Sequence, residues 1–283
     1  MGHRIGLISN VFPVVDPLLG ALRDMGHDPV AWLMSRKPPD NEPPPPPWGD
    51  ITDRMAPKGI NLLFARSKDD VAPLLRGLDL DVVLCWGFNW KLPQEALDLP
   101  RLGSVNNHPA FLPRHRGPYP LAWTFREGDA EFGATWHRMD LEYDTGPILA
   151  QSKVPLEDTD CWIEEFAPKI LQNSLSMLPT VFERLEAGDP GDPQPTEGVS
   201  WAGPFEEDYA TVDWSESARA IHNQVRAWRH LFGAGDIEGP IAELDGERRK
   251  LLRTSLTDPG DGARRVECGD GPIWVVESEP AKQ

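Results

Sequence analysis

The 283-residue sequence predicts an α/β protein, a mostly parallel sheet with helices on both faces, joined to a small, mainly β C-terminal domain. Three observations carry this reading. Short runs rich in β-branched and aliphatic residues alternate with segments of helical periodicity over the first half, the pattern of parallel strands linked by covering helices. The cluster Gly188-Asp189-Pro190-Gly191-Asp192-Pro193 then breaks both periodicity and composition. Beyond it, short runs are separated by Asp245-Gly246 and Pro259-Gly260, which are turn signals between antiparallel strands.

Taken in order, strands are expected at 4–9, 28–34, 60–64, 81–86 and 103–107, with helices at 18–25 and 69–77 between them. Two further strands are expected at 132–139 and 148–154, and a largely helical stretch at 157–186. This order is Rossmann-like. Five consecutive prolines at 43–47 can join neither a helix nor a central strand and are expected to form an extended surface loop. The domains are accordingly expected at 1–188 and 201–283, with a linker at 189–200. In the second, Asp213-Trp214-Ser215 signals the cap of an amphipathic helix reaching about Trp228, ahead of an OB-like set of short strands.

The first strand leads into Ser9-Asn10-Val11-Phe12-Pro13, without the glycines that let a backbone close on a pyrophosphate. A nicotinamide dehydrogenase or a nucleotide hydrolase is therefore disfavoured. Lys and Arg number 28 against 45 Asp and Glu, and the net charge of −17 opposes attraction to nucleic acid or an anionic membrane. Cys85, Cys161 and Cys268 are odd in number and far apart, so no disulfide framework or metal site is indicated. With no signal-peptide pattern and no apolar run of membrane-spanning length, a soluble cytoplasmic protein is expected.

The chemistry concentrates in two segments. In Gly103-Ser104-Val105-Asn106-Asn107-His108-Pro109, Asn106 and His108 lie two apart, so on an extended backbone they project to the same side. Pro109 pushes His108 toward that extended conformation, at the carboxyl end of a strand, the edge where open α/β sheets bind ligands. Farther on, Asp144-Thr145-Gly146 forms a loop ended by a glycine turn between two strands. Singly each motif is weak: an N-x-H triplet is usually incidental and a D-x-G is usually a turn.

Together, Asn106-Asn107-His108-Pro109-Ala110-Phe111-Leu112-Pro113 and Asp144-Thr145-Gly146 resemble the folate-dependent formyltransferase family, whose pattern is N-x-H-x-S-L-L-P followed by D-x-G. The resemblance spans roughly residues 3–230, although Ala110-Phe111 departs from the usual Ser-Leu. It implies transfer of a formyl group from 10-formyltetrahydrofolate to a primary amine, with Asn106, His108 and Asp144 as the catalytic set and no metal. It also implies that Phe88, Asn89, Trp90 and Leu92, with Asp140, Leu141, Glu142 and Tyr143, contact the folate. Such a reaction needs a donor for the formyl oxygen, met by Asn106. It also needs a proton relay, met by His108, and a carboxylate that orients and charges the imidazole, met by Asp144. His115, His137 and Arg138 read as solvated residues, while Trp90 and Trp123 are placed to touch a ligand.

Three acceptors fit the resemblance. The first is a small amine, foremost a nucleotide-linked amino sugar, since His137-Arg138-Met139 and Ala150-Gln151 look like sugar formyltransferases. The second is the methionyl group of a charged initiator tRNA. Against it, the region from Trp201 onward holds 10 Lys or Arg and 16 Asp or Glu, the wrong sign for a phosphate footprint. The third is release to water in a formyltetrahydrofolate hydrolase or dehydrogenase module, where an apolar residue replaces Asn106.

Overall fold

The structure, a computed structural model, describes residues 2–35, 48–161, 163–230, 238–260 and 262–282. The proline run at 43–47 lies outside them. The first strand, β1 (Arg4–Ile8), is followed by α1 (Phe12–Asp24), β2 (Asp28–Ser35), α2 (Trp48–Met55), β3 (Asn61–Ala65), α3 (Val71–Leu75), β4 (Val82–Trp86), α4 (Gln94–Leu97) and β5 (Gly103–His108). Then come α5 (Pro120–Arg126), β6 (Glu131–Arg138), β7 (Ile148–Pro155), α6 (Ile163–Ser176) and α7 (Leu178–Glu186). These seven strands form one sheet in the order β3-β2-β1-β4-β5-β6-β7. Pairings from β3 through β5 are parallel, whereas β6 runs antiparallel to β5.

β4 reads Val-Val-Leu-Cys-Trp without alternation because a central parallel strand is covered on both faces, and all five of its residues are buried. The strand order reverses between β1 and β4, so their carboxyl ends diverge into a crevice. Close approach there depends on Gly87, whose φ is 64° and where a Cβ would lie 2.4 Å from Val11 Cγ2. The Asn10 N–H donates to the Gly87 carbonyl at 3.1 Å, joining the two strand ends.

Helix limits depart from the expected ones for identifiable reasons. α1 opens at Phe12 because Pro13 falls in the first turn, where a missing N–H has no helical partner to lose. The 69–77 pattern yields only a short α3, preceded by a 3-10 turn at Lys68–Asp70 that Ser67 caps. The 157–186 stretch divides into α6 and α7 at Met177, with Pro179 at the start of α7.

The chain resolves into two compact units. One comprises Met1–Arg116, Gly133–Lys153 and Ile170–Ser200, and the other Gly117–Phe132, Val154–Lys169 and Trp201–Gln283. Residues 189–200, read from the sequence as a linker, lie within the first unit, where Asp192 bridges Ile148 in antiparallel fashion. Arg184 reinforces that edge by donating to the carboxylates of Asp189 and Asp192 and to the Ile148 and Leu149 carbonyls.

In the second unit α8 (Ala218–Arg229) is capped by Ser217, whose hydroxyl accepts from the Ala220 N–H at 3.1 Å. The strands β8 (Ile241–Leu244), β9 (Glu247–Ser255), β10 (Arg264–Cys268) and β11 (Gly271–Pro280) form an antiparallel sheet ordered β10-β11-β9-β8. Asp245 and Gly246 link β8 to β9 with φ of 54° and 81°, the two positive values a two-residue hairpin requires. Ile221 and Val225 of α8 pack with Leu251, Ile273 and Val275 of the sheet. Among the described residues, no helix is long and apolar enough to cross a membrane.

Candidate active site

The site forms where β5, the 133–138 part of β6 and the β6–β7 connection meet, all within the first unit. Asn106 and His108 share one side of β5, and the antiparallel register sets them opposite His137 and Thr135 of β6. The connection then folds back tightly: the Arg138 N–H donates to the Pro147 carbonyl at 2.8 Å. A Cβ on Gly146 would lie 1.8 Å from the Arg138 carbonyl oxygen, so only glycine fits that turn. Asp144 takes a left-handed backbone with φ of 56°, a conformation aspartate tolerates better than most residues. Its side chain is thereby brought back over β5.

The expected trio converges. Asp144 Oδ1 lies 3.5 Å from His108 Nδ1, and the Asn106 amide nitrogen lies 3.4 Å from the same oxygen. On its far side, His108 Nε2 meets the His115 carbonyl at 2.7 Å. That contact fixes the neutral ring as the Nε2–H tautomer and leaves the Nδ1 lone pair facing Asp144. Burial holds the His108 pKa below its ordinary value, opposed by the Asp144 carboxylate and the His115 carbonyl. A neutral imidazole is therefore available at neutral pH, and a proton taken at Nδ1 arrives beside a carboxylate.

Two residues set aside in the sequence belong to this arrangement. His137 is buried, its Nδ1 donates to the Arg138 carbonyl at 2.8 Å, and its Nε2 accepts from the Asn106 amide at 3.2 Å and lies 3.5 Å from Asp144 Oδ1. The spacing of Thr135 and His137 on one strand was the available signal, but it becomes informative only once β6 is paired with β5 in register. His115 contributes its backbone, with φ of 57° aiming its carbonyl at His108. Thr135 fastens the loop after β5, donating to the Ala110 carbonyl at 2.7 Å and accepting from the Leu112 N–H at 3.2 Å. Phe111, where the family has leucine, lies under the Lys153 ammonium at 4.6 Å.

A further pair went unread. Gln194 donates through Nε2 to the carbonyls of Asp144 and Gly146, both at 2.8 Å. Arg116 in turn donates to Gln194 Oε1 at 3.1 and 2.6 Å.

The segments assigned to folate lie side by side. The Tyr143 hydroxyl donates to the Asn89 carbonyl at 3.0 Å, and Lys91 pairs with Glu142 at 2.6 Å. Asp140 holds its own loop, accepting from the Glu142 N–H and the Thr145 hydroxyl. Phe88 and Trp90 meet edge to face at 5.2 Å and are half-buried, while Leu141 and Tyr143 are exposed. Leu92 packs into the core at 2% exposure, which leaves only its backbone to meet a ligand. Trp123 lies in the second unit, its indole N–H donating to the Gly203 carbonyl at 2.7 Å. Burial and the Asp144 charge push the Cys85 thiol far above its ordinary range, so it is no thiolate nucleophile.

The sequence pattern of the formyl transferase family matches residues 7–182. A methionyl-tRNA formyltransferase of Paracoccus denitrificans (strain Pd 1222) is 32% identical over 211 residues, covering 71% of this chain and 67% of its own. HypX from Aquifex aeolicus, solved in complex with tetrahydrofolic acid, superposes with a TM-score of 0.68 at 18% identity, over 100% of this chain and 45% of that one. An N-formyltransferase from Helicobacter canadensis, solved with folinic acid and dTDP-3-aminofucose, superposes with a TM-score of 0.67 at 15% identity, over 99% of this chain and 100% of that one.

Proposed function

The chain belongs to the formyl transferase family, and from that premise we propose that it transfers the formyl group of 10-formyltetrahydrofolate to the primary amine of a small molecule, foremost a nucleotide-linked amino sugar. The observation that carries the reading is the convergence of Asn106, His108 and Asp144 within hydrogen-bonding or ion-pair range. The aromatic pair Phe88 and Trp90, beside the exposed Leu141 and Tyr143, offers the flat apolar wall a pterin requires.

When bound, 10-formyltetrahydrofolate supplies an activated formyl carbon. Asn106 gives up its long 3.4 Å contact to Asp144 and turns that amide N–H toward the formyl oxygen, and such a donor in a preorganised site is worth about 2.7 to 4 kcal/mol. His108 takes a proton from the attacking amine at Nδ1, and the Asp144 carboxylate stabilises the resulting imidazolium. As the new carbon–nitrogen bond forms, the bond from the formyl carbon to the folate nitrogen breaks, and the His108 imidazolium passes the proton it took to that departing nitrogen, so tetrahydrofolate leaves and the residues require no covalent adduct of their own.

The names of the sequence relatives favour a second acceptor, charged initiator tRNA. Charge in the second unit weighs against it. Arg219, Arg249, Lys250, Arg253, Arg264 and Arg265 there each pair with a carboxylate, whereas a phosphate grip needs such cations unspent. The retained Asn106 donor weighs against simple release to water.

The test is to incubate the protein with 10-formyltetrahydrofolate and a panel of dTDP-linked amino sugars, amino acids and methionyl initiator tRNA, following tetrahydrofolate release. Formylation of an amino sugar is expected, with any tRNA binding weak across a salt series. Formylation of the tRNA together with a steep fall of its affinity with salt would replace the sugar by the tRNA.

A further inference from the structure

We propose that Gln194, locked by Arg116, is a positioning residue for the reaction: the segment after α7 clamps both partners of His108 and so sets the geometry of the proton relay. The inference rests on the catalytic reading of Asp144 and His108 and extends it to residues that touch no reacting atom.

A left-handed backbone at a non-glycine residue persists only where its surroundings over-determine it. Asp144 is such a residue, with φ of 56°. Gly146 leaves its turn no slack against Arg138, and Gln194 closes the other side by placing its two amide hydrogens on the Asp144 and Gly146 carbonyls. An amide can turn over and present its oxygen instead. Arg116 forbids that, because its guanidinium donates twice to Oε1 and a turned amide would oppose donor to donor.

The same segment reaches the opposite side of the imidazole. The His115 N–H donates to the Ser200 hydroxyl at 2.8 Å, and the Arg116 N–H donates to the Ser200 carbonyl at 3.0 Å. His115, held there with φ of 57°, is the residue whose carbonyl takes the His108 Nε2–H. Gln194 thus fixes the carboxylate facing Nδ1, and Ser200 fixes the carbonyl facing Nε2. Both anchors lie within seven residues of chain, 194–200, which begin two residues after Asp192, the residue that bridges Ile148 of β7.

The test uses the full-length protein with 10-formyltetrahydrofolate and the acceptor that turns over in the panel above. Gln194→Ala is expected to lower kcat by about tenfold or more, since small misplacements of a catalytic group carry such penalties. Its KM for the acceptor should stay within about twofold, because no substrate contact is removed. Gln194→Glu, the same size and still able to accept from Arg116, should fall as far, because a carboxylate cannot donate to two carbonyls. It carries the test if Gln194→Ala does not fold. In an Asp144→Asn background, Gln194→Ala should cost less than about twofold more, the non-additivity of residues acting through one group. Wild-type kcat in folded Gln194→Ala or Gln194→Glu protein, or full additivity with Asp144→Asn, overturns the clamp. Retained turnover in Asp144→Asn alone strikes instead at the catalytic reading beneath it.

Discussion

The two ring nitrogens of His108 face different partners, a carbonyl at Nε2 and a carboxylate at Nδ1, and in the proposed reaction that asymmetry gives the residue its direction as a base. Replacing Asn106, His108 or Asp144 by alanine is expected to lower turnover by about a hundredfold each, in line with the loss of one preorganised donor or of a general base. The three losses should not multiply, since groups acting as a unit lose most of their effect with the first removal. Steady-state kinetics on the three single variants and one double variant, with circular dichroism as the folding control, decide the matter; a folded His108→Ala protein with normal turnover would falsify the role. At this scale the sequence was informative where spacing sufficed. Asn106 and His108 are two apart on one strand and Asp144 precedes an obligatory glycine. His137, Arg116 and Gln194 were illegible because each meets the trio through tertiary pairing: across β6, from the loop after β5, and from beyond α7.

Strands were more legible than helices. β1 to β4 each announce themselves by an apolar run, whereas α4 is four residues long and α5 opens on Pro120, leaving too few turns for a periodic pattern. The loops that the elements carry include the proposed donor site, and the proposal puts the weight there on the backbone and less on the side chains. If the 88–92 loop meets the pterin through backbone groups, Trp90→Pro, which deletes an N–H, should weaken folate affinity by about tenfold, near the worth of a hydrogen bond in a partly buried site. Asn89→Ala should change it little, as the Asn89 contact to Tyr143 is made by its carbonyl oxygen. Calorimetric titration of both variants with 5-formyltetrahydrofolate compares them directly, and equal, negligible effects would move the folate away from this loop.

For the molecule as a whole, acid is the condition to watch. His222 and His230 are buried in the second unit, and burial depresses them to about 4 and about 3. Unfolded, each would bind a proton near its ordinary value of about 6.5. The folded protein refuses those protons, so stability is fully present above that value and falls as pH drops, by about 1.4 kcal/mol per pH unit for each histidine, until the depressed values are reached. His230 stacks on Phe125 at 4.5 Å and 16°, with neither ring nitrogen hydrogen-bonded among the described residues. His230→Phe should accordingly keep the packing and flatten the acid slope; thermal melts from pH 7 to pH 5 on both proteins would show an unchanged slope if the assignment were wrong. The second unit is also assembled from three separated stretches of chain, and this bears on the order of synthesis. Phe125, Phe132 and Phe166, all fully enclosed in the finished protein, leave the ribosome well before α8 and the β8–β11 sheet exist. Until the last third arrives, Phe125 and Phe166 lack the His230 ring they pack against, so a message cut short after residue 200 is expected to yield a sticky chain for chaperones and proteases to handle.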